Sequence, residues 1–176
     1  MYIWTAIHVD EQLASIKEEA KRIEQIVGFQ ESNITLPMHI SLKISCLIPD
    51  ERYEEAVQDV TAILENVGTF AVIPRGTELH ETICWIAMEE NPHLKDLHDR
   101  LDRLFLEKYG VPRHKYDLDY QYHSTLFLDS DREKVKEAFL IMKDAQIPSV
   151  LTANRFLIGK SAEGKLGTYR VIKEIK

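Results

Sequence analysis

Cysteine is scarce in this chain, with two in 176 residues. Cys46 and Cys84 both lie in apolar, strand-like stretches, so a disulfide-stapled scaffold is excluded and buried reduced thiols are expected. The seven glycines are scattered singly, and neither a P-loop nor a dinucleotide fingerprint assembles from them. No Gly-x-Ser-x-Gly elbow is present for a serine nucleophile. Positive charge is in deficit: 22 Lys and Arg against 29 Asp and Glu give a formal net charge of −7. That balance argues against a broad nucleic-acid surface, which needs a basic patch, but leaves room for one phosphate held in a cleft. The acid gathers on helix patterns at 50–65 and 96–107, as solvated outer faces. No apolar run reaches membrane-spanning length. The run Tyr2 to Val9 lacks a basic leader and a cleavage site and reads as a strand, so a cytoplasmic protein is expected. A helical His-Glu-x-x-His is missing, His93 and His98 splay apart, and Asp117, Asp119 and His123 form only a loose cluster. No metal and no cofactor is therefore expected.

What the chain does contain is ordinary globular material, 44% hydrophobic and 29% charged, enough for one core or two small lobes sharing an interface. After the strand at 2–9, Asp10 is the predicted N-cap of a helix with stripe Leu13, Ile16, Ala20, Ile23 and Val27, stopped by Gly28. A loop is predicted over 29–37. A helix follows from Pro49-Asp50 to Gly68, then strands at 69–75 and 82–88 paired as a hairpin through a turn at Gly76. Asn91-Pro92 opens the next helix and Gly110 ends it. A capping box at Ser130 to Glu133 starts another, and 149–158 with 167–175 supply a last strand pair. The expectation is one domain over 1–176, α+β, built as two pseudo-repeated lobes (roughly 1–90 and 91–176). Each lobe is a mainly antiparallel sheet with helices on its outer side, and the two face each other across a central cleft. Nothing suggests oligomerisation, so a monomer is the default.

Two stretches organise the rest: His39-Ile40-Ser41-Leu42-Lys43 and His123-Ser124-Thr125-Leu126-Phe127. Both alternate with a period of two, which places His39, Ser41 and Lys43 on one face and His123, Thr125 and Phe127 on one face. About 0.7 His-x-[Ser/Thr] matches are expected by chance from composition. Three are present; His80-Glu81-Thr82, placed directly after the turn at Gly76, is set aside as the chance match.

With these two motifs the chain resembles the two-histidine (2H) phosphoesterases, which include bacterial RNA 2',3'-cyclic phosphodiesterases, also called 2'-5' RNA ligases. The likeness extends to strand and helix order and to the closing Phe156-Leu157-Ile158, Ser161 and Gly167-Thr168-Tyr169. Ser41 stands where Thr is commoner, which preserves the hydroxyl. The resemblance implies that His39 and His123 form a general acid–base pair, with Ser41 and Thr125 orienting the phosphate. The chemistry is coherent. Opening a cyclic phosphodiester needs one proton removed from water and one given to the departing oxygen, and imidazole is available in either form near neutrality. The sequence does not decide which histidine is the base.

Lys43 and Phe127 are candidate substrate contacts: the lysine drawing a phosphate or serving only as a solubilising group, the phenylalanine stacking on a base or simply packing. Arg75 and Arg155 lie near strands with nothing to aim them, and Tyr169 and Ser161 are not expected to be catalytic. The partner is a small cyclic nucleotide or an RNA terminus, with no membrane. The alternative is a binding module that keeps the cleft and recognises RNA ends or a nucleotide without turnover.

Overall fold

The computed structural model describes residues 1–29, 35–165 and 167–176. Its order is β1 (Tyr2–His8), α1 (Ala14–Val27), β2 (His39–Leu47), α2 (Tyr53–Leu64), β3 (Phe70–Val72), β4 (Pro74–His80), β5 (Ile83–Met88), α3 (Pro92–Tyr109), β6 (His123–Leu128), α4 (Arg132–Met142), β7 (Leu151–Ala153), β8 (Phe156–Ser161) and β9 (Arg170–Ile175). The fold is α+β, and the described strand pairs are all antiparallel. Of the loop expected at 29–37, residues 30–34 lie outside the described residues.

Local signals account for most boundaries. The Asn91 side chain accepts from the amides of His93 at 2.9 Å and Leu94 at 3.4 Å, Pro92 takes the first turn, and Gly110 ends α3 in the left-handed region at φ 67°. This is the expected asymmetry of helix ends. Three expectations shift. Asp10 does not cap α1; its carboxylate accepts from the Met38 amide at 2.6 Å and from Lys17 Nζ at 2.7 Å instead. Asp131, rather than Ser130, caps α4 by accepting from the amides of Glu133 and Lys134. The hairpin β4–β5 forms, but its turn is at Glu81-Thr82, and Gly76 sits at an irregularity inside β4 with φ 128°.

The strands assemble as β2-β1-β8-β9 and β4-β5-β6, with β3 and β7 paired separately. The boundary expected near residue 90 is thus replaced by an exchange: β8 and β9 join β1 and β2, and β4 and β5 join β6. Helices cross over as well. α1 and α4 pack on the three-stranded sheet, while α3 packs on β2 and α2 on β8. Each half thus lends its first helix and its last two strands to the other sheet. One continuous core results, drawing Ile7, Ile23, Leu42, Ile86, Phe105 and Phe127 from both repeats. Each such fully buried side chain contributes roughly 1.5–3 kcal/mol.

The histidine strands β2 and β6 are each the outermost strand of their sheet, and they lie against one another. Both carry an extra residue just past the hydroxyl. Ala6 and Thr5 of β1 pair with Ser41 and Lys43, leaving Leu42 over; Trp85 and Cys84 of β5 pair with Thr125 and Phe127, leaving Leu126 over. Such bulges twist a strand and interrupt its pairing. The alternation read from the sequence therefore holds from His to Ser/Thr and inverts after it.

Candidate active site

The two edge strands present His39, Ser41, His123 and Thr125 to one cavity of about 270 Å³, also lined by Trp4, Tyr120, Gly167 and Tyr169. All four motif residues named from the sequence are brought together. The bulges remove the two candidate contacts from the same role. Phe127 is fully buried and packs against Phe29 with ring centroids 5.8 Å apart, so it offers no face for a base. Lys43 borders the cavity, but its ammonium is turned inward to Asp117 at 2.7 Å and Asp102 at 3.1 Å. In each strand the inverted phase drives the residue after the bulge into the interior.

Each imidazole is held in the same way. His39 Nδ1 lies 2.7 Å from the Pro37 carbonyl oxygen, and His123 Nδ1 lies 2.7 Å from that of Gln121. A carbonyl oxygen only accepts, so Nδ1 carries the proton in both rings. Nε2 is left as the working nitrogen on each side. The approach to His39 is pinned in addition by Asp10, which holds the Met38 amide.

Both rings rest on tryptophan, and these are the only two tryptophans of the chain. Trp4 meets His39 edge-on with centroids 4.6 Å apart, and Trp85 stacks on His123 at 4.1 Å. Trp4 Nε1 also donates to Ser41 Oγ at 3.2 Å. Sequence reading missed both; the available signal was a lone tryptophan in each strand that neighbours a histidine strand. His80, set aside as a chance match, lies tilted against Trp85 with ring centroids 4.2 Å apart. Tyr169 is a cavity wall rather than core, with its hydroxyl donating to Ser45 Oγ at 2.6 Å. Ser161 shapes the adjoining turn through Thr168 and the Gly164 amide.

Burial pushes the His39 imidazolium down to about 4, and the nearby His123 and His8 work in the same direction. His8 is the cross-strand partner of His39. Burial likewise lowers His123, with His80 adding to it. Both rings are thereby favoured in the neutral, proton-accepting form, and an anion brought beside either one would favour imidazolium again. Arg155 is spent on Glu174 and Glu11, and Arg75 on Glu78. Among the described residues no group of three or more His, Cys, Asp or Glu is arranged to hold a metal ion, and no helix is long and apolar enough to cross a membrane.

The family model described as the 2'-5' RNA ligase superfamily matches residues 11–165. Among solved structures, TT0787 of Thermus thermophilus superposes with a TM-score of 0.64 at 16% identity, covering 99% of this chain and 97% of that one. LigT of E. coli in complex with NADP+ gives 0.56 at 16%, covering 98% and 95%. Usb1 of Kluyveromyces marxianus gives 0.51 at 11%, covering 97% and 96%. Among curated proteins, none matches the chain in sequence.

Proposed function

We propose that this chain, which belongs to the 2'-5' RNA ligase superfamily of two-histidine phosphoesterases, opens 2',3'-cyclic phosphates of RNA ends or related cyclic nucleotides without a metal. The observation that carries the reading is the matched pair of imidazoles, each with Nδ1 tied to the carbonyl two residues upstream and Nε2 left for the shared cavity. Water attacks phosphorus and loses its proton to one Nε2. The bond from phosphorus to one ribose oxygen breaks, and that oxygen takes a proton from the other Nε2. Ser41 and Thr125 donate to the non-bridging oxygens, where charge accumulates.

His39 is the base in this scheme. It is the ring most strongly held neutral, lowered to about 4, whereas His123 is the acid, recharged as the phosphate enters. With a ribose hydroxyl in place of water, the same proton transfers run as 2'-5' ligation. The test is hydrolysis of 2',3'-cyclic mononucleotides and of short RNAs with a cyclic phosphate end, in EDTA, by wild type and by His39→Ala and His123→Ala. Turnover that survives EDTA and disappears in both variants supports the scheme. Tight binding by wild type with no turnover of any of them would replace it with a binding module.

A further inference from the structure

Behind the cavity, a buried charge network links the first histidine strand to the segment that delivers the second. Lys43, 4% exposed, donates to Asp117 Oδ2 at 2.7 Å and to Asp102 Oδ1 at 3.1 Å. Asp117 Oδ2 also accepts from the His114 amide at 2.9 Å, and Asp102 accepts from Arg113. His98 of α3 closes the network: its ring nitrogens face the carbonyl oxygens of Leu42 at 2.9 Å and Asp117 at 3.1 Å. The Tyr120 ring stacks on His98 at 4.5 Å and continues to the cavity. Leu42 and Lys43 are the bulge of β2. Asp117 lies four residues before Gln121, the residue whose carbonyl orients His123.

Stability does not explain a charge here. A buried ion pair is weak evidence for stability because desolvation offsets the attraction, and at the equivalent place in β6 the fold fills the site with Phe127. We infer that Lys43 and Asp117 are a positioning pair that fixes His123 against His39 and Ser41, acting through the backbone from Asp117 to Gln121. This rests on the proposed reaction for its kinetic readout. Misplacing a reacting group by about 1 Å costs on the order of 100-fold.

The test is the double variant Lys43→Met/Asp117→Asn, which removes both charges together so that neither is left buried alone. Asp117→Asn by itself is the milder companion should the double variant not fold. Folding is checked by thermal unfolding, and turnover of a 2',3'-cyclic mononucleotide is read alongside side-chain 15N NMR of the histidines. The expected result is kcat lowered roughly 10- to 100-fold with KM changed less than about threefold. The His123 nitrogens should also move from a single Nδ1–H tautomer to a mixture while those of His39 stay. Unchanged kcat and unchanged His123 signals would overturn the inference. So would a raised KM at constant kcat, which would make Lys43 a substrate contact. If wild type turns over no cyclic phosphate, the proposed reaction falls, and the His123 tautomer alone decides the positioning.

Discussion

Strands β2 and β6 build the same device twice, and the comparison is informative because they differ where nothing in the repeat requires it. Up to the hydroxyl they match: a carbonyl two residues upstream fixes Nδ1, a tryptophan supports the ring, and one extra residue interrupts the regular pairing. Beyond it, β2 buries Lys43 in an ion-pair network and β6 buries Phe127 in apolar packing. The tryptophans are not equivalent either. Trp85 is the cross-strand partner of Thr125, whereas in β1 that place belongs to Ala6, and Trp4 reaches His39 from two residues further along. The requirement is for a supported imidazole of one tautomer, and the two repeats meet it from different register positions.

The largest expected effects remove the shared part. His39→Ala and His123→Ala should each lower kcat of cyclic-phosphate hydrolysis by about 10²- to 10⁴-fold. The double variant should be little worse than either single one, since the two proton transfers act as a unit. Steady-state rates of the three purified variants decide this; multiplying losses would mean that the rings work independently. Next come the hydroxyls. Ser41→Ala and Thr125→Val should each cost on the order of 100-fold in kcat, as loss of one preorganised donor does. The Ser41 change also strands Trp4 Nε1, so it should lower the melting temperature where Thr125→Val does not.

The tryptophans sharpen the comparison at a smaller scale. Trp4→Phe keeps an aromatic edge but loses the hydrogen bond to Ser41, a loss of about 1 kcal/mol or roughly fivefold in rate. Trp85→Phe keeps a ring to stack on His123 and should change the rate less. A larger loss at Trp85 would show that stacking breadth, rather than the serine contact, is what the site depends on.

Much of this was legible in the sequence and some was not, for a definite reason. Period-two alternation correctly grouped His39 with Ser41 and His123 with Thr125, and the caps at Asn91 and Gly110 bounded α3. It failed at Lys43 and Phe127 because each bulge adds one residue and flips the phase, and no turn-forming residue marks Leu42 or Leu126. The strand exchange was hidden for a related reason. Hydrophobic patterning says that β8 has a face to bury, but not that β1, far away in the chain, pairs with its edge.

The smallest effect concerns acid, and its sign is fixed by the direction of the shifts. His39 titrates near 4 in the folded chain against an ordinary 6.5, because burial penalises the charged ring. Between those values the unfolded chain binds the proton more readily, so stability falls as pH falls from about 6.5 toward 4. His39→Gln removes that proton uptake. Its melting temperature should therefore rise relative to wild type across this window, at about 2–4 °C per kcal/mol for a chain of this size, with no such relative change above pH 7. His123→Gln should move in the same direction, since that ring is also lowered by burial. In activity, the same depressions place the optimum of kcat/KM on the acidic side of 6.5, with a bell-shaped profile. A profile flat from about pH 5 to 8 would mean that the buried rings do not exchange the protons, and an optimum well above 7 would mean that burial does not hold the working rings below their ordinary value.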